Sequence, residues 1–496
     1  MRTIWIATLM AAALAALAGA GCAVNPATGR TELMTVSEKQ EVEIGREADK
    51  QVRQEQGIYA EKPELAAYVA SVGRKIAAKS DRPGVQFQFA IVDSSEINAF
   101  ALPGGYVFVT RGILGRMCSE DELAAVLGHE IGHVAARHGA AQMSKAQIAQ
   151  VGLTGISVLS DPQYASALTG LAGVAMNLAM QGYSREDERQ ADELGVKYAT
   201  RAGYNPLGAI DLMESFKQLE TSEPSTLQKW FASHPRTSER IRNISQEVAV
   251  MKRKNPGALK RPILRDPYID KIDGILYGEV NNSGYVSGNR YIGVKDAYSL
   301  TIPDGWTARL SGPLVTLERD SEGARAEMKI ELLPRVAVSG DLAREYARKA
   351  ASQGLEVLGP VTKAGLPAGE GAIVKLRAKD REGRAVIARK IFLVRFDKSY
   401  VLTFITPEEK SDELETVFQT LTGSIKYLGP LDAAKAPPPR LGLYTTLEGD
   451  TWVSIASSKV GPGASAKELA ELNGREPGKP PKAGLLVKIP PAGQGR

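Results

Sequence analysis

Histidine and cysteine are both scarce in this chain: four and two among 496 residues. Two cysteines exclude a disulfide scaffold. Net charge is also small. Lys plus Arg is 62 and Asp plus Glu is 57, so the +5 excess excludes nucleic acid as the main partner, which would need a concentrated basic face. Long apolar runs are missing beyond the N-terminus. The best candidate, residues 165–180, falls short of the ~20 residues that cross a bilayer and contains Asn177. It reads as a pair of packed helices or a lid. No repeat with a period of about 34 residues recurs, which excludes a tetratricopeptide array. What remains is ordinary globular composition, 43% hydrophobic and 24% charged, and this excludes collagen, coiled coil and wholesale disorder. At roughly 100–200 residues per domain, two to four domains are expected.

Arg2 precedes an apolar run over residues 4–17 and then small residues up to Cys22. A charged start, a short apolar stretch and a small-residue zone make residues 1–21 a secretory signal. Gly19-Ala20-Gly21 directly before Cys22 resembles the bacterial lipobox, in which the cysteine is acylated and becomes the first residue. Ala23, where Asp is absent, then implies the outer membrane, facing the periplasm. The alternative is plain secretion after Ala18-Gly19-Ala20. If Cys22 carries lipid, Cys118 has no partner for an internal disulfide.

Residues 22–255 read mainly as helices with a short strand region. Helical periodicity over residues 38–69 should break at Pro63. Residues 87–92 and 106–110 look like strands, and Pro103-Gly104-Gly105 between them is a turn signal. From residue 268 to 430 the apolar period falls to two, as in residues 326–332. Segments 391–396 and 400–405 suggest a hairpin, and 342–351 and 414–421 suggest amphipathic helices. This α+β region carries "IPDGW" and weakly resembles the PsbP/Mog-like fold. Residues 431–441, with three consecutive prolines, form a stiff linker before a final unit at 442–491.

The chemistry concentrates in His129-Glu130-Ile131-Gly132-His133, an H-E-x-x-H motif. Ser119 and Glu122 form a capping-box signature, and Leu123, Val126, Leu127, Ile131 and Val134 follow at helical spacing. His129 and His133 therefore share a helix face one turn apart and can reach one ion. Glu130 is rotated by about 100° and can approach a metal-bound water as general base. Imidazole suits zinc, and a catalytic zinc keeps three protein ligands and an open position. Glu188 and Asp192, also one turn apart, offer a third ligand and a carboxylate that orients a ligand histidine. A solvated acidic helix face is the common meaning of such a pair. His138, turned about 140° from His133, reads as the C-terminal residue of the motif helix and not as a ligand.

"HEIGH", "SREDERQAD", "NAFALPGGYVFVTRGIL" and "SHPRTSERI" together resemble the gluzincin zinc metallopeptidases of family forty-eight, the HtpX, BepA and LoiP-like kind, over about residues 25–250. The resemblance implies a zincin-like fold and one Zn2+ per chain. It implies Glu188 as third ligand beside His129 and His133, Asp192 as supporting carboxylate, and a harmless Gln190 where many members have Glu. It also implies that His234, otherwise a turn residue, lies near the zinc and can occlude it. Arg240 is implied near the transition-state oxygen, where a cation stabilises developing negative charge. Tyr106, Val107, Phe108 and Val109 read as an edge strand that holds an extended substrate, or as a core strand.

Residues 444–456, "LAELNG" and "GLLVKIP" resemble a LysM module in βααβ order, which implies peptidoglycan binding or a docking role. The combined expectation is a lipid-anchored endopeptidase that cleaves misfolded or misassembled envelope proteins. The alternatives are a peptidoglycan-associated peptidase and a client-binding assembly factor with latent protease activity.

Overall fold

The computed structural model describes residues 22–154, 173–177, 180, 182–222, 227–234, 237–281, 284–293, 298–311, 314–319, 324–333, 337–366, 369–380, 383–395, 398–428, 437–461 and 464–491. They fall into two compact units. One holds the described residues up to Ile275 together with Gly442–Ile455 and Ser465–Ile489; the other is built mainly from Leu276–Leu441. The signal at 1–21 lies outside the described residues. So does most of the 165–180 segment, of which 173–177 are helical. Among the described residues no helix is long and apolar enough to cross a membrane.

The first unit is mainly helical around a three-stranded sheet. Helix Glu38–Glu55 starts at a capping box made by Ser37 and Gln40. A second helix, Pro63–Ala77, begins at Pro63. The expected break therefore spans residues 56–62, and the proline opens the second helix, where its missing N–H is no loss. The sheet order is Gln88–Val92, Tyr106–Thr110, Ala99–Leu102. Phe100 and Phe108 stack at 5.0 Å and join Val52, Val92 and Leu102 in one core cluster.

This order corrects the reading of Tyr106, Val107, Phe108 and Val109 as an edge. Tyr106–Thr110 is the central strand, parallel to Gln88–Val92 on one side and antiparallel to Ala99–Leu102 on the other. Its backbone groups are committed on both sides, and the outer strands of the sheet are Gln88–Val92 and Ala99–Leu102. Gly104 and Gly105, at φ +79° and +101°, make the tight return that brings Leu102 opposite Tyr106.

Helix Glu120–Ala135 carries the H-E-x-x-H motif. The Ser119 hydroxyl accepts from Glu122 N–H as expected, but the Glu122 carboxylate reaches one residue further back, to Cys118 N–H at 3.0 Å. The helix then ends, and Arg137 turns the chain in a left-handed conformation, φ 58°, into helix His138–Thr154. His138 is thus the first residue of a new helix, which corrects its placement at the end of the motif helix.

In the second unit, Ala385–Arg395 and Lys398–Pro407 form the expected antiparallel hairpin within an eight-stranded sheet. Helices Ser339–Ser352 and Glu415–Ser424 occupy the two expected helical stretches. A five-stranded sheet completes the unit.

The C-terminal segment runs strand, helix, helix, strand, with Gly442–Thr445 antiparallel to Leu486–Ile489. Its buried Lys488 ammonium donates to the carbonyls of Gly115, Arg116 and Met117 at 3.1, 2.8 and 3.0 Å. Those carbonyls lie at the end of helix Arg111–Arg116, where orphan acceptors and the helix dipole favour a cation.

Candidate metal centre

Two helices build the site by crossing at glycines. Helix Arg185–Arg201 starts at a capping box made by Ser184 and Asp187. A Cβ on its Gly195 would lie 2.8 Å from the backbone nitrogen of His129. One on Gly128 would lie 2.8 Å from the Gly195 carbonyl oxygen. Hydrogen in place of a side chain lets the backbones meet, so side chains one turn away reach each other directly. His129 and His133 leave successive turns of one helix, Glu188 and Asp192 successive turns of the other.

The buried donor atoms converge. His129 Nε2 lies 3.0 Å from His133 Nε2, and Glu188 carboxylate oxygens lie 3.2 Å from His133 Nε2 and 3.5 Å from His129 Nε2. His234, the residue after helix Gln228–Ser233, adds its Nδ1 at 3.0 Å from Glu188 and 3.3 Å from His129 Nε2. One ligand atom from each of these four residues fits within 4.8 Å of the others. Lone pairs of two imidazoles and a carboxylate aimed at one point suit a cation, and this donor set suits zinc.

Behind the cluster, Asp192 Oδ1 accepts from His129 Nδ1–H at 2.9 Å, which turns Nε2 toward the cluster. Arg240 holds the same carboxylate through Nε and Nη2 at 2.9 and 2.6 Å. Its Nη1 is buried, without a hydrogen-bond partner among the described residues, 3.7 Å from Glu188. Both carboxylate oxygens of Glu130 are also buried without hydrogen-bond partners among the described residues, with His234 Nε2 3.6 Å away. Burying an unsatisfied carboxylate is costly, and the same desolvation makes it a stronger base.

Electrostatics follow from this burial. Desolvation raises the Glu130 carboxyl above its usual range despite His234 and His129 nearby. Burial favours neutral Glu188, but His234 and His129 outweigh it and hold the carboxyl well below its usual range. His129 is pulled down by burial and by Arg240, yet Glu188 and Asp192 prevail and raise it to about 9. Burial keeps His133 well below an ordinary imidazole.

The structure brings His129, Glu130, His133, Glu188, Asp192, His234 and Arg240 into one site. Tyr106–Val109 line the core sheet instead, while Ala99 O of the outer strand Ala99–Leu102 is 3.4 Å from His234 Nε2. Cys22 opens a short strand paired with Thr31–Leu33, and the nearby Asn25 donates to Ala136 O at the end of the motif helix. Cys118 is a free, buried thiol.

Tyr183 and Trp230 carry no expectation from the sequence, and His138 and Gln190, set aside there, also reach the site. His138 Nδ1 is 2.9 Å from His133 Nδ1, and its Nε2 is 2.7 Å from Gln190 Oε1. The Tyr183 ring stacks on His133 at 4.1 Å. Trp230 packs 4.5 Å from His234 and lies under the Arg240 guanidinium. A signal existed for Trp230, four residues before His234 on a helix. None existed for Tyr183, which comes from a loop. A cavity of about 240 Å³, lined by Arg185, Glu186, Glu188, Arg189, Glu239, Arg240 and Asn243, opens beside Glu188 and Arg240.

Residues 63–248 match the sequence profile of Peptidase family M48. The Beta-barrel assembly-enhancing protease of Escherichia coli (strain K12) is 32% identical over 199 residues, 38% of this chain and 40% of that protein. The Mitochondrial metalloendopeptidase OMA1 of Schizosaccharomyces pombe is 31% identical over 225 residues, 45% of this chain and 65% of its own. The chain spans half or less of the length of the first curated relatives it matches. A solved cyanobacterial PsbP is 19% identical over 30% of this chain and 98% of its own, at a TM-score of 0.22, too low to establish a shared fold.

Proposed function

We propose, because residues 63–248 belong to peptidase family M48, that this chain is a zinc-dependent endopeptidase of the bacterial envelope. The observation that carries this reading is the convergence of His129 Nε2, His133 Nε2 and Glu188 beside the unsatisfied Glu130 carboxylate. His129, His133 and Glu188 would hold the Zn2+. When bound, zinc polarises a carbonyl and acidifies water.

The chain's own residues do the rest. Glu130, made more basic by burial, takes a proton from the attacking water and returns it to the leaving amine. Asp192 holds His129 in the tautomer that presents Nε2. Arg240, clamped by Asp192, keeps Nη1 for negative charge that develops on the scissile carbonyl. The Ala99–Leu102 edge offers backbone groups to an extended substrate, which gives affinity with little sequence preference. That suits misfolded or misassembled envelope proteins, and the name of the Escherichia coli relative points to barrel proteins in assembly. Acylation of Cys22 would hold the enzyme at the outer membrane, facing the periplasm, and the C-terminal βααβ segment would bind peptidoglycan.

A second reading, an assembly factor whose protease activity is latent, is favoured by His234. Its Nδ1 occupies the fourth side of the cluster and its Nε2 lies 3.4 Å from Ala99 O. At rest it would cover both the open position and the edge strand.

The test is Glu130→Gln in the full chain. The variant should keep one zinc by elemental analysis, lose cleavage of casein, and capture uncleaved envelope proteins on crosslinking in cells. A Glu130→Gln protein that cleaves at the wild-type rate rules out the proposed mechanism.

A further inference from the structure

The two histidines of the motif are backed by unlike partners. Behind His129 stands a carboxylate, Asp192. Behind His133 stands another histidine, and behind that a neutral amide: His133 Nδ1 is 2.9 Å from His138 Nδ1, and His138 Nε2 is 2.7 Å from Gln190 Oε1.

This chain has a direction. Two facing Nδ1 atoms of neutral imidazoles need one donor and one acceptor. If Gln190 Oε1 accepts from His138 Nε2–H, then His138 Nδ1 carries a lone pair. It then accepts from His133 Nδ1–H, and His133 Nε2 is left bare. That atom is the one 3.0 Å from His129 Nε2 and 3.2 Å from Glu188. The reverse direction puts a proton on His133 Nε2, where it blocks ligation. Asp187, whose carboxylate oxygen is 3.8 Å from His138 Nε2, accepts only and favours the first direction.

The backbone is bent to make the pair. Among the described residues, Arg137 is the residue other than glycine that has positive φ, at 58°. A left-handed residue of this kind is costly and persists only where its surroundings hold it. Here Arg137 Nε donates to Glu41 at 3.0 Å and Nη2 to Val36 O at 2.9 Å. Without that turn the helix would continue and carry His138 away from His133.

We infer that His138 and Gln190 are positioning residues that fix the tautomer of His133, Gln190 through the amide oxygen it turns to His138, with the acceptor-only Asp187 beside it selecting that direction. This rests on the zinc reading above and deepens it.

The experiment measures Zn2+ affinity of the purified full chain by chelator competition, with the Co2+ absorption spectrum as a second readout. His138→Phe keeps a ring and removes the acceptor. His138→Asn places an amide oxygen where Nδ1 was. We expect His138→Phe to weaken Zn2+ binding by roughly 10–100-fold, as loss of a ligand's outer partner does. His138→Asn should stay within about threefold of the parent, with the parent Co2+ spectrum. Gln190→Met should weaken binding less than His138→Phe. Thermal unfolding with excess chelator checks folding separately. Wild-type affinity in His138→Phe overturns the inference. So does equal weakening in His138→Phe and His138→Asn, which means a packing role only. A parent chain that binds no Zn2+ overturns the zinc reading itself and the inference with it.

Discussion

One carboxylate oxygen, Asp192 Oδ1, accepts from both His129 Nδ1–H at 2.9 Å and Arg240 Nη2–H at 2.6 Å. Asp192 therefore couples His129 to Arg240. Asp192→Asn keeps the shape but offers an NH2 group to one of two donors. Zinc affinity should fall by roughly 10–100-fold. The casein rate at saturating zinc should fall as well, because Arg240 loses its clamp. Chelator competition and a zinc-saturated assay separate the two losses; no change in either shows that Asp192 is not coupled to the site.

His234 Nδ1 closes the donor cluster of His129, His133 and Glu188. His234→Ala should raise casein cleavage in the full chain, whereas Glu130→Gln abolishes it. A lower rate in His234→Ala would mean that the imidazole serves the transition state. An unchanged rate would leave it as a turn residue held by Trp230.

Zinc has to displace a proton from His129. In the metal-free chain that imidazole titrates at about 9, because Glu188 and Asp192 outweigh burial and Arg240. Apparent zinc affinity should therefore rise with pH, by roughly tenfold per unit until about pH 9. The same raised value stabilises the metal-free fold fully below the ordinary histidine range. That contribution fades as pH rises through about 9. Calorimetric zinc titrations at three pH values check the slope, and a flat profile contradicts it.

The helix crossing at Gly195 predicts an unusual glycine. Gly195→Ala gains helix propensity but puts a methyl group 2.8 Å from the His129 backbone nitrogen. Overpacking of this kind costs about 1–3 kcal/mol. Melting temperature and zinc affinity should both drop. Gly423→Ala, in helix Glu415–Ser424 with nothing within 4 Å, should be neutral or stabilising. Equal behaviour of the two variants would remove the close-approach argument.

Acylation at Cys22 predicts a mature N-terminus that begins with a diacylglyceryl cysteine, while Cys118 stays a free thiol. Mass spectrometry of the mature protein decides, and an unmodified Cys22 means simple secretion.

Local signals made much of the site legible. His129, Glu130 and His133 are spaced by one helix turn, and Glu188 and Asp192 by another, so each pair could be read without its partner. What joins the pairs, the glycine crossing, depends on backbone approach and has no side-chain signature. The Ala99–Leu102 edge was missed because Ala-Phe-Ala-Leu is buried throughout and shows no alternation. His138 was misread because helical geometry was carried past Ala135, while the Arg137 turn depends on Glu41, nearly a hundred residues earlier in the chain. The hairpin at 385–407 was easy for the opposite reason, since its pairing is local.

Lys488 changes what a truncation allele means. A stop codon ahead of residue 442 looks like a clean removal of a terminal accessory segment. It also deletes the ammonium that satisfies three carbonyls just before Ser119, the residue that opens the motif helix. Buried acceptors left without a donor each cost about 1–3 kcal/mol. Loss of proteolysis in such an allele would report a weakened catalytic fold and would say nothing about glycans. Substitutions at Leu447 and Val453, 63% and 68% exposed, separate the two effects, because they alter the outer face of the segment and leave Lys488 in place.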